Sequence, residues 1–209
     1  MPERQPRVLL DGLVFQEGPR WHDERLWFSD MQAHEVVAVD MDGRRETIVA
    51  VPQQPSGLGW LPDGRLLVVS MADRKLLRLD PGGLAVAADL SDLAPRNCND
   101  MVVDAQGRAY VGNFGFDLWS EEARGTGLIM VTPDGQAQVV AEDMWFPNGM
   151  AISPDGRTLI VAETVENRLT AFNIAEDGSL SHRRVWAQLD ARPDGICLDA
   201  EGCIWLASP

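Results

Sequence analysis

A short apolar strand, a turn built on Asp and Gly, and a second apolar strand recur at a nearly fixed interval along this chain. Five copies stand out: GPRWHDERLWFSD (18–30), GLGWLPDGRLLVVS (57–70), DMVVDAQGRAYVGN (100–113), GMAISPDGRTLIVA (149–162) and GICLDAEGCIWLAS (195–208). Their turn glycines at 64, 107, 156 and 202 lie 43, 49 and 46 residues apart, and Glu24 takes the turn position in the first copy. Between the copies lie weaker hairpins at 34–49, 74–90, 127–143 and 167–187, with alternating apolar residues around Asp-Gly or Gly-Gly turns. Asp-Gly between alternating apolar residues is the strongest short-range hairpin signal. Two hairpins in about 45 residues make a four-stranded unit, the period of a propeller blade.

The periodicity therefore predicts an all-β protein, a β-propeller of four-stranded antiparallel blades, forming one domain over residues 1–209. A meandering sandwich would use similar turns but has no need of this regular period. The stretch Asp117–Arg124 is the nearest thing to a helix and reads as an excursion within a loop. Four full units and the first hairpin of a fifth make about four and a half blades, so the chain is expected to be incomplete at its C-terminus. An open ring leaves strand edges unpaired, and Arg7–Leu13 is expected to be a strand suited to ring closure.

Charge and cysteine content narrow the function. Eighteen basic against 32 acidic residues give a net charge of −14, which leaves no basic patch for nucleic-acid phosphates. No segment reaches the ~20 apolar residues of a membrane helix, and the N-terminus has no apolar run typical of a signal peptide. Three cysteines without CxxC spacing suggest neither a disulfide framework nor a zinc ribbon; a cytoplasmic protein with reduced thiols is the expectation. Cys197 and Cys203 sit in apolar strand patterns and read as small core residues, and Cys98 as a packing residue. His22, His34 and His182 follow no metal-binding spacing and read as surface residues. No GxSxG elbow is present. The seven tryptophans fit packing between blades, with Trp145 and Phe146 equally suited to wall a pocket.

Polar residues just before the first strand of each unit carry the functional signal. In a propeller these strands line the central channel, so residues at their entrances converge on the axis. Glu17, Ser56, Asn99, Asn148 and Asp194 share that register, mostly beside Gly and often after Pro. Taken singly, Pro-Asn-Gly and Pro-Asp-Gly are ordinary turns whose side chains bond their own backbone. Glu17 is the least turn-like of the five. Two carboxylates and two amides meeting on an axis form an all-oxygen cluster suited to a hard divalent cation. The aspartates inside the hairpin turns, Asp42, Asp63, Asp134 and Asp155, read instead as turn formers.

Four motifs in order carry a family resemblance: Glu17-Gly18-Pro19-x-Trp21, Asn99-Asp100, Phe146-Pro147-Asn148-Gly149-Met150 with Ser153-Pro154-Asp155-Gly156, and Arg192-Pro193-Asp194-Gly195. With these the chain resembles the SMP-30/gluconolactonase/luciferin-regenerating-enzyme family of six-bladed propellers. The resemblance implies one catalytic divalent metal ion (Ca, Zn, Mn, Mg or Fe) held by Glu17, Asn148 and Asp194, and hydrolysis of a sugar-derived lactone. It implies that Asn99 orients substrate or water and that Asp194 doubles as the base. Many relatives carry an arginine two positions before the matching asparagine, where it grips substrate hydroxyls. Here Asn97 holds that place and Arg96 stands one step further away, so Arg96, Asn97 and Asn99 are the candidate substrate contacts. An organophosphate-type hydrolase using the same ligands and a non-catalytic Ca²⁺-binding or interaction propeller are the alternatives.

Overall fold

Strands that are apolar on both faces must be covered on both faces, and the second strand of each unit is of this kind. In a computed structural model that describes residues 7–208, those strands sit inside four-stranded antiparallel sheets stacked side by side. Blade one is β1 (Gln16–His22), β2 (Arg25–Asp30), β3 (Glu35–Val39) and β4 (Arg45–Ala50). Blade two is β5 (Pro55–Trp60), β6 (Leu66–Ser70), β7 (Lys75–Asp80) and β8 (Gly83–Asp89). Blade three is β9 (Cys98–Val103), β10 (Ala109–Asn113), β11 (Thr126–Val131) and β12 (Ala137–Met144). Blade four is β13 (Pro147–Ile152), β14 (Thr158–Glu163), β15 (Arg168–Ile174) and β16 (Leu180–Gln188), and β17 (Ile196–Leu198) with β18 (Ile204–Leu206) begins a fifth. Each complete sheet pairs its strands in sequence order, as the repeat predicts.

The first strands β1, β5, β9, β13 and β17 touch one another in succession, which makes them the inner edges of the blades. The core is divided accordingly. One cluster (Trp27, Val36, Ala38, Leu58, Val68) joins blades one and two, and another (Leu67, Val69, Leu76, Met101, Val111, Ile129) joins two and three. A third (Tyr110, Met130, Met150, Leu159, Phe172) joins three and four, and Ala151, Ile160, Leu169 and Ile196 join four to the fifth sheet. Burial of these side chains at ~25 cal/mol per Å² of apolar surface is the main force holding the blades together.

Of the aspartates read as turn formers, Asp63 and Asp155 accept backbone N–H groups two residues on, as do Asp177 and Asp199, an Asx-type turn. In the turn of Asp42 it is Asp40 that accepts the backbone N–H groups, and Asp134 accepts the Thr132 hydroxyl. Glu24 adopts a left-handed φ of 58° where the other copies use Gly, and Asp23 before it a left-handed φ of 48°.

Four expectations are corrected. Arg7–Leu13 forms no strand; Leu9, Leu10 and Leu13 instead pack on Phe28, Val37 and Val39 of blade one. Cys197 and Cys203 are exposed, and only Cys98 is buried; among the described residues β17 and β18 form a sheet of two strands. Trp27 and Trp60 meet edge to face between blades, but Trp21, Trp119, Trp186 and Trp205 are exposed. His22 ends β1 stacked on Trp60 with ring centroids 4.0 Å apart, rather than standing free in solvent. Among the described residues no helix is long and apolar enough to cross a membrane.

Candidate metal and substrate site

In every complete blade the inner strand breaks register at or just after the polar residue singled out by the sequence. The breaks lie between Glu17 and Arg20, Pro55 and Leu58, Cys98 and Met101, and Pro147 and Met150. A bulge of this kind puts two residues opposite one, bends the strand and re-aims its side chains. The residue two positions before each polar residue is fixed in the same way each time. Met31, Met71, Phe114 and Thr164 donate their N–H groups to the carbonyls of Phe15, Gln54, Asn97 and Phe146.

A second polar row lies behind the first and was not singled out from sequence. Asp30, Ser70, Asn113 and Glu163 end the second strands, fully buried, and pair with Gln16, Pro55, Cys98 and Pro147. Asp30 accepts the N–H groups of Val14 and Phe15 at 3.1 and 2.9 Å. Glu163 accepts the N–H of Trp145 at 2.9 Å and is paired with Arg168 at 2.8 Å. Burial raises the Glu163 carboxyl, but Arg168, Thr170 and the Trp145 N–H outweigh it and hold it below its ordinary value. The signal available in sequence was an apolar strand closing on a polar residue.

The axial cleft, about 600 Å³ in volume, is lined by Glu17, Arg20, Asp100, Asn148 and Asp194, with Trp21, Trp205 and Leu206 on its apolar side. Blades one and four and the strand entering the fifth sheet thus bring the three predicted metal ligands to one cavity. Burial pushes the Glu17 carboxyl up to about 7, and the charges of Asp194 and then Asp100 push the same way. Asp194 is also raised, by burial first and by Asp100, against an opposing hydrogen bond from Asn148. Buried carboxyls that raise one another's proton affinity are groups short of positive charge. Arg20 supplies some of it: its Nη2 lies 2.7 Å from Asp100 Oδ1 and also donates to the Met101 carbonyl at 2.7 Å.

Among the described residues no group of three or more His, Cys, Asp and Glu side chains is arranged to hold a metal ion. The set here has two carboxylates, Glu17 and Asp194, and takes its third oxygen from the Asn148 amide. An all-oxygen set with two mutually repelling carboxyls fits a hard divalent cation, which would relieve that repulsion.

The remaining candidates separate. Asn99 is buried and its Nδ2 has no hydrogen-bond partner among the described residues, while its neighbour Asp100 lines the cleft. Ser56 is buried and engaged through its carbonyl, which accepts from Ser29 Oγ at 2.6 Å. Arg96 and Asn97 line a different recess of about 100 Å³ with Phe114, Phe116 and Trp119. Arg96 is ion-paired to Glu121 there. Trp145 and Phe146 lie outside the cleft lining; Phe146 meets Phe114 edge to face at 4.6 Å. Arg20, Asp100 and the apolar Trp205 and Leu206 complete the cleft without having been picked out from sequence.

Comparison with known proteins agrees with this architecture. A 6-deoxy-6-sulfogluconolactonase from Pseudomonas putida is 28% identical over 212 aligned residues, covering 98% of this chain and 69% of that protein. The structure of a gluconolactonase from Xanthomonas campestris superposes with a TM-score of 0.79 at 29% identity, over 96% of this chain and 72% of that one. A calcium-binding protein, regucalcin, from Agrobacterium tumefaciens superposes with a TM-score of 0.78 at 26% identity, over 94% and 68%. The family described as SMP-30/gluconolactonase/LRE-like region matches residues 15–209. The chain belongs to the SMP-30/gluconolactonase/LRE-like family.

Proposed function

We propose that this protein hydrolyses a sugar-derived lactone with one divalent cation held by Glu17, Asn148 and Asp194, in a single domain of the six-bladed propeller type. The observation that carries the proposal is the meeting of these three oxygen donors in one cleft, with both carboxyls raised first by burial and then by neighbouring carboxylates, Asp194 and Asp100 for Glu17 and Asp100 for Asp194. The relatives named as gluconolactonases support the reaction class, and the calcium-binding regucalcin supports the cation. The donor chemistry favours Ca²⁺, Mg²⁺ or Mn²⁺ over softer metals.

A cation bound there supplies Lewis acidity to the ester carbonyl. The chain's own residues do the rest. Asp194, half-buried and of raised basicity, takes the proton of the attacking water. Asn99 lies outside the cleft lining, so its unpartnered Nδ2–H would orient a water rather than touch substrate, satisfying a buried donor otherwise costly to leave unpaired. The apolar side chains of Trp21, Trp205 and Leu206 face the sugar carbon skeleton, whereas Arg96 and Asn97, in their separate recess, are assigned no contact with a substrate in the cleft. Asp194→Ala is expected to abolish turnover of a panel of aldonolactones while leaving the circular dichroism spectrum unchanged. Retained activity would remove Asp194 from its role, and turnover of a phosphotriester alone would move the substrate class to phosphorus esters.

A further inference from the structure

Thr164 breaks the pattern of its own position. The equivalent residues of the other complete blades, Met31, Met71 and Phe114, make the same backbone bond but carry apolar side chains. The Thr164 hydroxyl instead lies between two elements of the cleft. Its Oγ1 donates to the Pro193 carbonyl at 2.8 Å, one residue before Asp194, and accepts from Asn148 Nδ2 at 3.2 Å. The direction of these bonds is forced, since a carbonyl can only accept. The hydroxyl proton is therefore spent on Pro193, and only the NH₂ end of the Asn148 amide can meet the remaining lone pairs. Asn148 Oδ1 is the end left for a ligand in the cleft. The same contact fixes the loop carrying Asp194, which also bonds blade four where Gly149 N–H donates to the Asp194 carbonyl at 3.0 Å.

The neighbouring residue strengthens the arrangement. Glu163 holds the Trp145 N–H, and Phe146, directly before Pro147, sits at a left-handed φ of 58°. That conformation is strained for a residue preceding proline and persists only where surroundings over-determine it. Glu163 thus fixes the backbone that delivers Asn148, and Thr164 fixes its amide.

We propose that Thr164 is a positioning residue for the cleft, orienting Asn148 Oδ1 toward the cation and tying it to the Asp194 loop through one hydroxyl. The cation part of this inference rests on the function proposed above; the orientation of the amide does not. Thr164→Val removes the hydroxyl while keeping the shape, and Thr164→Ser keeps the hydroxyl. In the metal-free protein, the side-chain amide protons of Asn148 are read by ¹⁵N-resolved NMR. Wild type and Thr164→Ser are expected to show the same slowly exchanging pair, shifted and exchange-broadened in Thr164→Val. In calorimetric titration with Ca²⁺, Thr164→Val is expected to bind about tenfold more weakly, the loss of one neutral hydrogen bond, with Thr164→Ser near wild type. Unchanged Asn148 signals in folded Thr164→Val overturn the proposal, as does a lowered melting temperature with signals and affinity intact. If wild type and Glu17→Gln take up Ca²⁺ alike, the cation assignment falls, and the amide signals still decide the role of Thr164.

Discussion

The two ends of each blade use the same residue types to opposite effect. At the hairpin turns, Asp63, Asp155, Asp177 and Asp199 accept backbone and side-chain donors and sit below the ordinary carboxyl range. At the axis, Glu17 and Asp194 are raised, chiefly by burial and then by neighbouring negative charge. A turn carboxylate closes its own loop and is satisfied by it. An axial carboxylate faces carboxylates from other blades, and the hydrogen bonds it receives, from Gly18 N–H to Glu17 and from Asn148 to Asp194, do not offset its burial. The difference separates scaffold from site, and it can be tested by exchanging one member of each group.

Glu17→Gln should weaken Ca²⁺ binding by at least about a hundredfold, since even residues behind a metal's direct ligands commonly cost 10–100-fold. Asp63→Asn should leave the affinity unchanged in the same titration. Equal losses in both variants would mean that overall negative charge, not convergence at the axis, attracts the cation.

The raised Glu17 carboxyl carries a sign. A carboxyl whose folded-state pKa lies above its ordinary value stabilises the fold fully below the ordinary value and loses that contribution as pH rises through the folded one. For Glu17 the window runs from 4.5 to about 7. In chelator, the protein should therefore lose on the order of 3 kcal/mol of stability between pH 4.5 and pH 8 from this group. Asp194 adds to the loss in the same direction. Glu17→Gln should flatten the profile, and Ca²⁺ at pH 8 should restore stability to the wild type. A wild-type melting temperature that climbs across this window would show the cluster to be already compensated.

Gly149 and Gly156 sharpen the comparison within a single hairpin. A Cβ at Gly149 would lie 2.5 Å from the Asp194 carbonyl oxygen and from Ile196 N, both backbone atoms that cannot swing away. A Cβ at Gly156 meets nothing, and only its left-handed φ of 70° penalises a side chain. Gly149→Ala should cost about 1–3 kcal/mol in denaturant unfolding and displace the Asp194 loop, lowering Ca²⁺ affinity too. Gly156→Ala should cost about 1 kcal/mol and leave affinity intact.

The blade architecture was legible because it rests on local rules: Asp-Gly turns, alternating faces and a fixed period. The convergence of Glu17, Asn148 and Asp194 on one cleft was legible because repetition placed them in one register. What escaped depended on contacts between residues far apart in sequence. Asp100 rather than Asn99 reaches the cleft wall, since the bulge in β9 sends neighbouring residues in different directions. Arg20 reaches across from blade one to blade three to pair with Asp100, a separation of 80 residues. Nothing local in the Glu163-Thr164 pair announces that one holds the Trp145 backbone and the other the Asn148 amide. Cys197 and Cys203 alternate as a buried strand does, yet their burial depends on a neighbouring sheet, which no strand pattern contains.

The smallest expected effect bears most directly on how far turn and axis are independent. Asp155 accepts the Ser153 hydroxyl at 2.5 Å and the Arg157 N–H at 3.0 Å. Its hairpin joins β13, which begins at Pro147-Asn148, to β14, which ends at Glu163. Asp155→Ala should lower the melting temperature by about 2–4 °C, the shift produced by losing roughly one net hydrogen bond in a chain of this size. Since β13 and β14 stay registered through Met150–Val161 and Ile152–Leu159, the distortion should die out before it reaches Asn148, and Ca²⁺ affinity should not move. A parallel drop in affinity would show that the blade transmits strain along its inner hairpin. The turn aspartates would then belong to the site's support as much as to the scaffold.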